Sequence, residues 1–151
     1  MLLIANGAPI IAKKLLKNRF NYPIDMGQSL ADGYPLFGYS KTWRGLVASV
    51  SATLVAALLL DLSMQHGALF GLTAMAGDLL ASFLKRRLGY VESSRTRGID
   101  VIPESLLPAL ALQSSLGLGW LDIAAVVAVF FLIEASLSPV LYRLHIRNRP
   151  Y

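Results

Sequence analysis

The sequence contains no cysteine and only two histidines. It therefore has neither a disulfide framework nor a cysteine-rich metal site. Charged residues are also scarce, at 15% of the 151 residues, against about 25% in an ordinary soluble domain. With 55% hydrophobic residues and a mean hydropathy of +0.56, the composition favours a bilayer over water. The length suits one domain, residues 1–151.

Long apolar runs take up most of the chain. Four are close to the roughly 20 residues that a straight membrane span needs, and a fifth at the N-terminus is shorter. We therefore predict an all-α, polytopic helix bundle with about five transmembrane helices. No cation precedes the first run, so the N-terminus is not typical of a cleavable signal peptide. The runs cover residues 1–12, 45–60, 67–84, 102–118 and 121–141.

The positive charges all fall on one side of this topology. The loops after the first and third helices and the C-terminal tail hold all 14 Lys and Arg residues. The positive-inside rule then places both loops and the C-terminus in the cytoplasm and the N-terminus outside. A basic nucleic-acid-binding domain would instead spread its cations over one groove-facing surface. The sequence thus predicts a multi-pass protein of the cell membrane, without a nucleic-acid partner, whose long inner loops carry the chemistry.

A carboxylate inside the third apolar run is the first candidate for that chemistry. An Asp near the middle of a membrane helix costs about 2.5–3.5 kcal/mol on insertion scales, which favours a functional role for Asp78. Asp78, Ser82 and Lys85 are spaced to share one helix face, and Gly77 leaves space beside the carboxylate. The alternative is an interhelical salt bridge. Arg87, at the helix end, suits headgroup anchoring equally well.

A second candidate cluster lies in the stretch GIDVIPES. Pro103 is expected to be the first residue of the fourth helix, where its missing N–H costs nothing. Asp100 would then precede the helix and Glu104 would lie in its first turn, where the helix dipole alone favours both. The functional alternative is that both converge with Asp78. Three carboxylates without thiols nearby suit a hard cation such as Mg²⁺.

The third cluster, GYSKTWRG, precedes the second predicted helix. Ser40 or Thr42 can cap that helix, and Lys41 and Arg44 lie within a turn of its start. A helix N-terminus with two cations is a natural anion site, although snorkelling toward headgroups would also place the cations here. Acids for a metal and cations for phosphates, at the cytoplasmic mouth of a membrane bundle, indicate phosphoryl or nucleotidyl transfer to a lipid.

These stretches resemble a known enzyme family. GDLLASFLKRRLG is similar to the G-D-L-x-x-S-x-x-K-R stretch of the membrane CTP:lipid-phosphate cytidylyltransferases, and SKTWRG to their K-T-x-x-G stretch. ANGAP in the first run is similar to a motif of the CDP-archaeol synthase branch. The resemblance covers nearly the whole chain in the right order. It implies an enzyme of lipid biosynthesis that uses CTP and Mg²⁺ to convert a lipid phosphate into a CDP-lipid, with release of pyrophosphate.

The resemblance also implies roles for individual residues. Asp100 would be the first acid of a D-x-x-D motif, whose second acid position holds Pro103 here, followed by Glu104. The implied metal ligands are Asp78, Asp100 and Glu104. The implied catalytic residues are Asp78, Lys85, Asp100 and Glu104. The implied substrate-binding residues are Lys41, Thr42, Arg44, Ser82 and Arg86.

The predicted mechanism is direct attack of the lipid phosphate on the α-phosphorus of CTP, without a protein nucleophile. Two other functions stay open. A CDP-alcohol phosphotransferase would share the opening Asp32-Gly33 but would carry further motifs that are not found here. A small transporter or assembly subunit would use Asp78 and Glu134 as an ion relay, although Glu134 is more typical of a hydrogen-bonding residue within the bundle. The pattern is compatible with both a monomer and an oligomer.

Overall fold

The computed structural model describes residues 1–92, 94 and 96–143, and gives side chains for all of these except 97 and 137–143. Within this part of the chain the fold is all-helical, as predicted, and contains two isolated β-bridges but no strand. The helices are α1 (Leu2–Leu16), α2 (Trp43–Leu59), α3 (Met64–Arg87), α4 (Arg97–Ala111), α5 (Gln113–Leu116) and α6 (Trp120–Arg143).

The number of membrane spans stays a prediction. Among the described residues, α3 is long and apolar enough to cross a bilayer by length and composition, while α2 is apolar but has only 17 residues. The predicted run 102–118 is wrong as a single helix. α4 ends at Ala111, and the one-turn α5 is closed by Gly117 in the left-handed conformation, which an L side chain adopts at a cost.

The start of α4 also differs from the prediction. Thr96, not Asp100, precedes the helix, and its backbone N–H donates to Asp100 Oδ2 over 2.8 Å. Asp100 therefore lies in the first turn, where it satisfies a backbone group and meets the positive end of the helix dipole. Pro103 lies inside the helix and removes one intrahelical hydrogen bond, so the prediction that it begins the helix was wrong.

Small residues join α2 to α3. A Cβ added to Gly67 would lie 2.8 Å from the Ala57 side chain, and one added to Gly71 would lie 2.9 Å from Val50 Cα. The two glycines are four residues apart and so lie on one face of α3. Such small-xxx-small spacing lets two membrane helices approach closely. α2 and α3 consequently pack backbone against backbone.

A third glycine brings α3 against α4. A Cβ on Gly77 would lie 2.6 Å from Glu104 Cα. The space that the sequence predicted beside Asp78 is thus filled by the backbone of α4, which carries Glu104 to the neighbourhood of that carboxylate. α6 packs on α4, and α1 packs on α2. Through these contacts α1, α2, α3, α4 and α6 all face one shared interior.

Candidate active site

A cavity of about 700 Å³ opens among these helices and the α1–α2 loop. Its wall takes residues from α1, α2, α3, α4 and α6. All nine site residues that were singled out in the sequence line it, so helices far apart in the chain bring them together. They are Lys41, Thr42, Arg44, Asp78, Ser82, Lys85, Arg86, Asp100 and Glu104.

Lys41 and Asp78 form an ion pair across the cavity. Lys41 Nζ donates to both carboxylate oxygens over 2.6 Å. Lys41 lies just before α2, because Thr42 is the N-cap and its side chain accepts from Gly45 N over 3.2 Å. Burial alone would lower the pKa of Lys41, but the Asp78 carboxylate outweighs it and raises that pKa. The lysine is therefore held charged beside the carboxylate.

A second pair joins Lys85 to Asp100. Their Nζ and Oδ1 atoms lie 2.5 Å apart, and the same ammonium donates to Ser94 O over 2.9 Å. Lys85 comes from the last turn of α3 and Asp100 from the first turn of α4. The ion pair thus joins the C-terminal end of α3 to the N-terminal end of α4.

The two arginines of the cavity wall hold backbone carbonyls instead. Arg44 Nη1 donates to Lys17 O and Arg19 O over 2.8 and 2.7 Å, and Nη2 donates to Asn21 Oδ1. Arg86 Nη2 donates to Val91 O over 2.9 Å. The exposed fractions of Arg44 and Arg86 are only 8% and 3%. The phosphate contact predicted for Arg44 is not the one that this geometry favours.

Arg87 does not line the cavity. Its guanidinium lies 2.5 Å from Asp32 Oδ2, donates to the carbonyls of Tyr34 and Pro35, and lies 5.3 Å from the centre of the Phe83 ring. These contacts tie the α1–α2 loop to the end of α3. They favour an internal structural role over the headgroup anchoring considered from the sequence.

Asp25 organises the loop that carries Lys41. Its carboxylate accepts from the backbone N–H groups of Gly27, Phe37 and Gly38 over 3.1, 2.9 and 2.9 Å. Burial would raise the pKa of Asp25, but these hydrogen bonds outweigh it and hold that pKa below its usual value. Sequence reasoning missed this residue. Asp followed two residues later by Gly is the available signal, since Asx turns favour it.

Two contacts complete the loop. Ile24 N–H donates to Lys41 O over 2.8 Å, and Ser40 N–H donates to Glu92 Oε1 over 2.6 Å. The first fixes the segment before α2 against the start of the loop. The second joins it to Glu92, in the connection between α3 and α4.

Other cavity residues were not assigned to the site from the sequence. α1 contributes Asn6, Pro9 and Lys13, whose three- and four-residue spacing places them on one helix face. α6 contributes Glu134, which is buried at the cavity wall. For Glu134, the available signal was a carboxylate within an apolar helix. For Asn6 and Pro9 it was their position in the ANGAP stretch.

The carboxylates suit a divalent cation by their chemistry. Asp78, Asp100 and Glu104 line the same cavity and offer the oxygen donors that Mg²⁺ prefers. In the part of the chain that is described, no three His, Cys, Asp or Glu residues are grouped as ligands of one ion. Two of these acids face lysines instead. By donor type the three acids suit the ion, and in this geometry Asp78 and Asp100 are each paired with a lysine.

Comparisons with known proteins identify the family of this chain. The family "CarS-like: CDP-archaeol synthase" matches residues 18–66 and 60–151. The chain belongs to the CDP-archaeol synthase family. CDP-archaeol synthase of Aeropyrum pernix is 33% identical over 99% of this chain and 86% of its own length. CDP-archaeol synthase of Sulfurisphaera tokodaii is 30% identical over 99% of this chain and 90% of its own length.

A solved structure gives the same answer for the fold. It is described as "Structural insight into an intramembrane enzyme for archaeal membrane lipids biosynthesis" and has a TM-score of 0.70 at 28% identity. The match covers 90% of this chain and 89% of that one. Membership of the CDP-archaeol synthase family makes this chain a membrane nucleotidyltransferase. It removes the transporter and the CDP-alcohol phosphotransferase from the alternatives.

Proposed function

We propose that this protein transfers the cytidylyl group of CTP to a lipid phosphate, forming a CDP-lipid and pyrophosphate. The observation that carries the proposal is one cavity in which lysines and carboxylates from four helices and a loop converge. The names of the relatives support an isoprenoid ether-lipid phosphate as the preferred acceptor. The one-sided distribution of cations supports an active site that faces the cytoplasm.

The bond changes need no protein nucleophile. An oxygen of the lipid phosphate attacks the α-phosphorus of CTP, and the bond from that phosphorus to the bridging oxygen of pyrophosphate breaks. The attacking group is already ionised, so positioning and charge neutralisation are the protein's tasks. His66 is hydrogen-bonded to Ser63 at the start of α3, away from the cavity, and His145 lies outside the described residues. Neither is proposed as a base.

The cavity residues divide these tasks. Lys41 and Lys85 would donate to phosphate oxygens, and Thr42 sets the start of α2, whose free N–H groups favour an anion. Ser82 and Arg86 line the same wall and would face the nucleotide. Asp78, Asp100 and Glu104 would hold Mg²⁺. When bound, this ion neutralises phosphate charge and stabilises the leaving pyrophosphate.

The test is turnover by the purified protein in detergent. We expect CTP-dependent pyrophosphate release and a CDP-lipid with an isoprenoid ether-lipid phosphate, and lower kcat/KM with a diacyl phosphate. Chelation of divalent cations should stop both. Absence of pyrophosphate release with every lipid phosphate, in a sample that still binds CTP, would contradict the proposal.

Orientation has its own test, which the absence of cysteine makes simple. A cysteine at Met26, exposed in the α1–α2 loop, should resist an impermeant thiol reagent in intact cells. A cysteine at Gln65, exposed in the first turn of α3, should react. The reverse labelling would place the cavity on the outer face.

A further inference from the structure

Both ion pairs of the cavity join a proposed phosphate ligand to a proposed metal ligand. Lys41 holds Asp78 over 2.6 Å, and Lys85 holds Asp100 over 2.5 Å. A third ion pair in the described residues, Arg87 with Asp32, lies outside the cavity. The two cavity pairs are thus made from the groups on which both substrate and ion would depend.

These pairs oppose the binding of either partner alone. A divalent cation placed at Asp78 would meet the ammonium of Lys41 at close range. A triphosphate placed at Lys41 would meet the Asp78 carboxylate. Like charges at such short range repel strongly in a partly buried site. Each ligand therefore binds well only after the pair has opened.

We propose that the two pairs exchange partners when nucleotide binds. The triphosphate takes Lys41 and Lys85, and this frees Asp78 and Asp100 for the divalent cation. Nucleotide and cation then bind cooperatively, and by linkage each raises the affinity for the other. The inference rests on the proposed function, because it takes CTP as the nucleotide.

The side chains involved suit such an exchange. Lysine is a compact charge on a flexible stem, whereas arginine is a rigid fork. The Lys41 and Asp78 side chains are 22% and 25% exposed, so ligands can reach the pair. Arg44 and Arg86 are buried against backbone carbonyls and stay in place. The lysines move while the arginines keep the wall fixed.

The decisive measurement is Mn²⁺ binding to nucleotide-free protein by equilibrium dialysis. Removal of a lysine frees its carboxylate, so Lys41→Ala and Lys85→Ala should each bind Mn²⁺ more tightly than wild type. Coupling of this kind is typically about 5- to 150-fold, and we expect about 10-fold. Lys41→Arg, which keeps the charge, should show no gain. Arg87→Ala is the matched control from the pair outside the cavity and should also show none.

The same logic gives a mirror experiment in EDTA. Asp78→Asn frees Lys41 for phosphate, so metal-free CTP should bind this variant more tightly than wild type, again by about 10-fold. The double variant Lys41→Ala/Asp78→Asn should lose the gain in Mn²⁺ affinity. The Asp78→Asn measurement and the Mn²⁺ affinity of Lys85→Ala remain available if Lys41→Ala fails to fold.

Three results would overturn the exchange. They are wild-type Mn²⁺ affinity in both lysine variants, an equal gain in Arg87→Ala, and unchanged metal-free CTP affinity in Asp78→Asn. Any of these, when the wild-type protein turns over CTP, refutes the exchange and leaves the proposed function intact. Loss of the proposed function would instead appear as wild-type protein that binds CTP without releasing pyrophosphate.

Discussion

The lysines and the arginines of the cavity wall bind different kinds of partner. Lys41 and Lys85 face carboxylates over 2.6 and 2.5 Å. Arg44 and Arg86 face the carbonyls of the α1–α2 and α3–α4 loops over 2.7–2.9 Å. In the sequence, GYSKTWRG places Lys41 close to Arg44, and GDLLASFLKRRLG places Lys85 next to Arg86 and Arg87. These motifs alone do not distinguish the lysines from the arginines. The structure separates lysines that pair with carboxylates from arginines that hold loop carbonyls.

The largest effect is expected at the carboxylate between these groups. Asp78→Asn keeps the volume but removes the charge that would bind the metal. We expect turnover to fall by more than the roughly 10- to 100-fold that outer partners of a metal contribute, while membrane insertion is unchanged. Pyrophosphate release and membrane fractionation measure the two. Retained activity would make Asp78 a packing residue, and its pair with Lys41 would then have no part in the chemistry.

Lys41→Ala should act on the nucleotide. Loss of one charge-assisted contact costs about 1.5–3 kcal/mol, or roughly 10- to 150-fold in affinity. We expect a higher KM for CTP, or a lower kcat if the contact strengthens as pyrophosphate leaves, with an unchanged KM for the lipid phosphate. Steady-state kinetics with each substrate varied in turn would detect an unselective effect, which would contradict the assignment.

Arg44→Ala should act on stability. The change leaves the carbonyls of Lys17 and Arg19 without their donor and opens the connection after α1. Hydrogen bonds to a charged group are worth about 1.5–3 kcal/mol each, so the thermal midpoint in detergent should drop and the KM values for both substrates should rise together. A selective rise in the KM for CTP at an unchanged thermal midpoint would contradict this, because Arg44 would then bind the nucleotide as Lys41 does.

Asp25 makes the stability of the α1–α2 loop depend on pH. Its pKa in the folded protein lies below the ordinary 3.8, so its contribution to stability is complete above that value. The contribution is lost as the pH falls through the lower folded value. Asp25→Asn should be less stable than wild type at neutral pH, with a difference that shrinks as the pH falls below 3.8. Thermal midpoints of both proteins across this range provide the check, and a constant difference would contradict it.

The smallest effect on activity is expected at Lys13, which neighbours Lys14 in the last turn of α1. Lys13 lines the cavity and Lys14 does not, and neither belongs to any of the three ion pairs of the described part. Lys13→Ala should raise the KM for the lipid phosphate by up to about 5-fold, since exposed ionic contacts are worth at most about 1 kcal/mol. Lys14→Ala is the control. Equal effects would indicate a general role of charge at the membrane surface.

Part of this site followed from the sequence because its signals are local. A carboxylate in an apolar run, a cap before a helix and acids near a helix start each predicted a residue that now lines the cavity. The start of α4 was not predicted correctly. Pro103 suggested that the helix begins there, but it begins at Arg97, and the Thr96 N–H before it donates to Asp100 Oδ2. The arginine contacts did not follow either. Backbone carbonyls carry no side-chain signature, so Lys17, Arg19 and Val91 give no hint of their donors.

The close packing of α2 on α3 has a consequence for how the chain enters the membrane. The two helices are consecutive and are joined by residues 60–63 alone. Gly67 and Gly71 let them pair before any later helix has been made, and Lys41 can then meet Asp78 across the pair. We therefore expect the acid to meet its counterion inside one helical hairpin during insertion. A carboxylate that would hinder insertion of α3 alone would then enter the bilayer as half of a neutral pair.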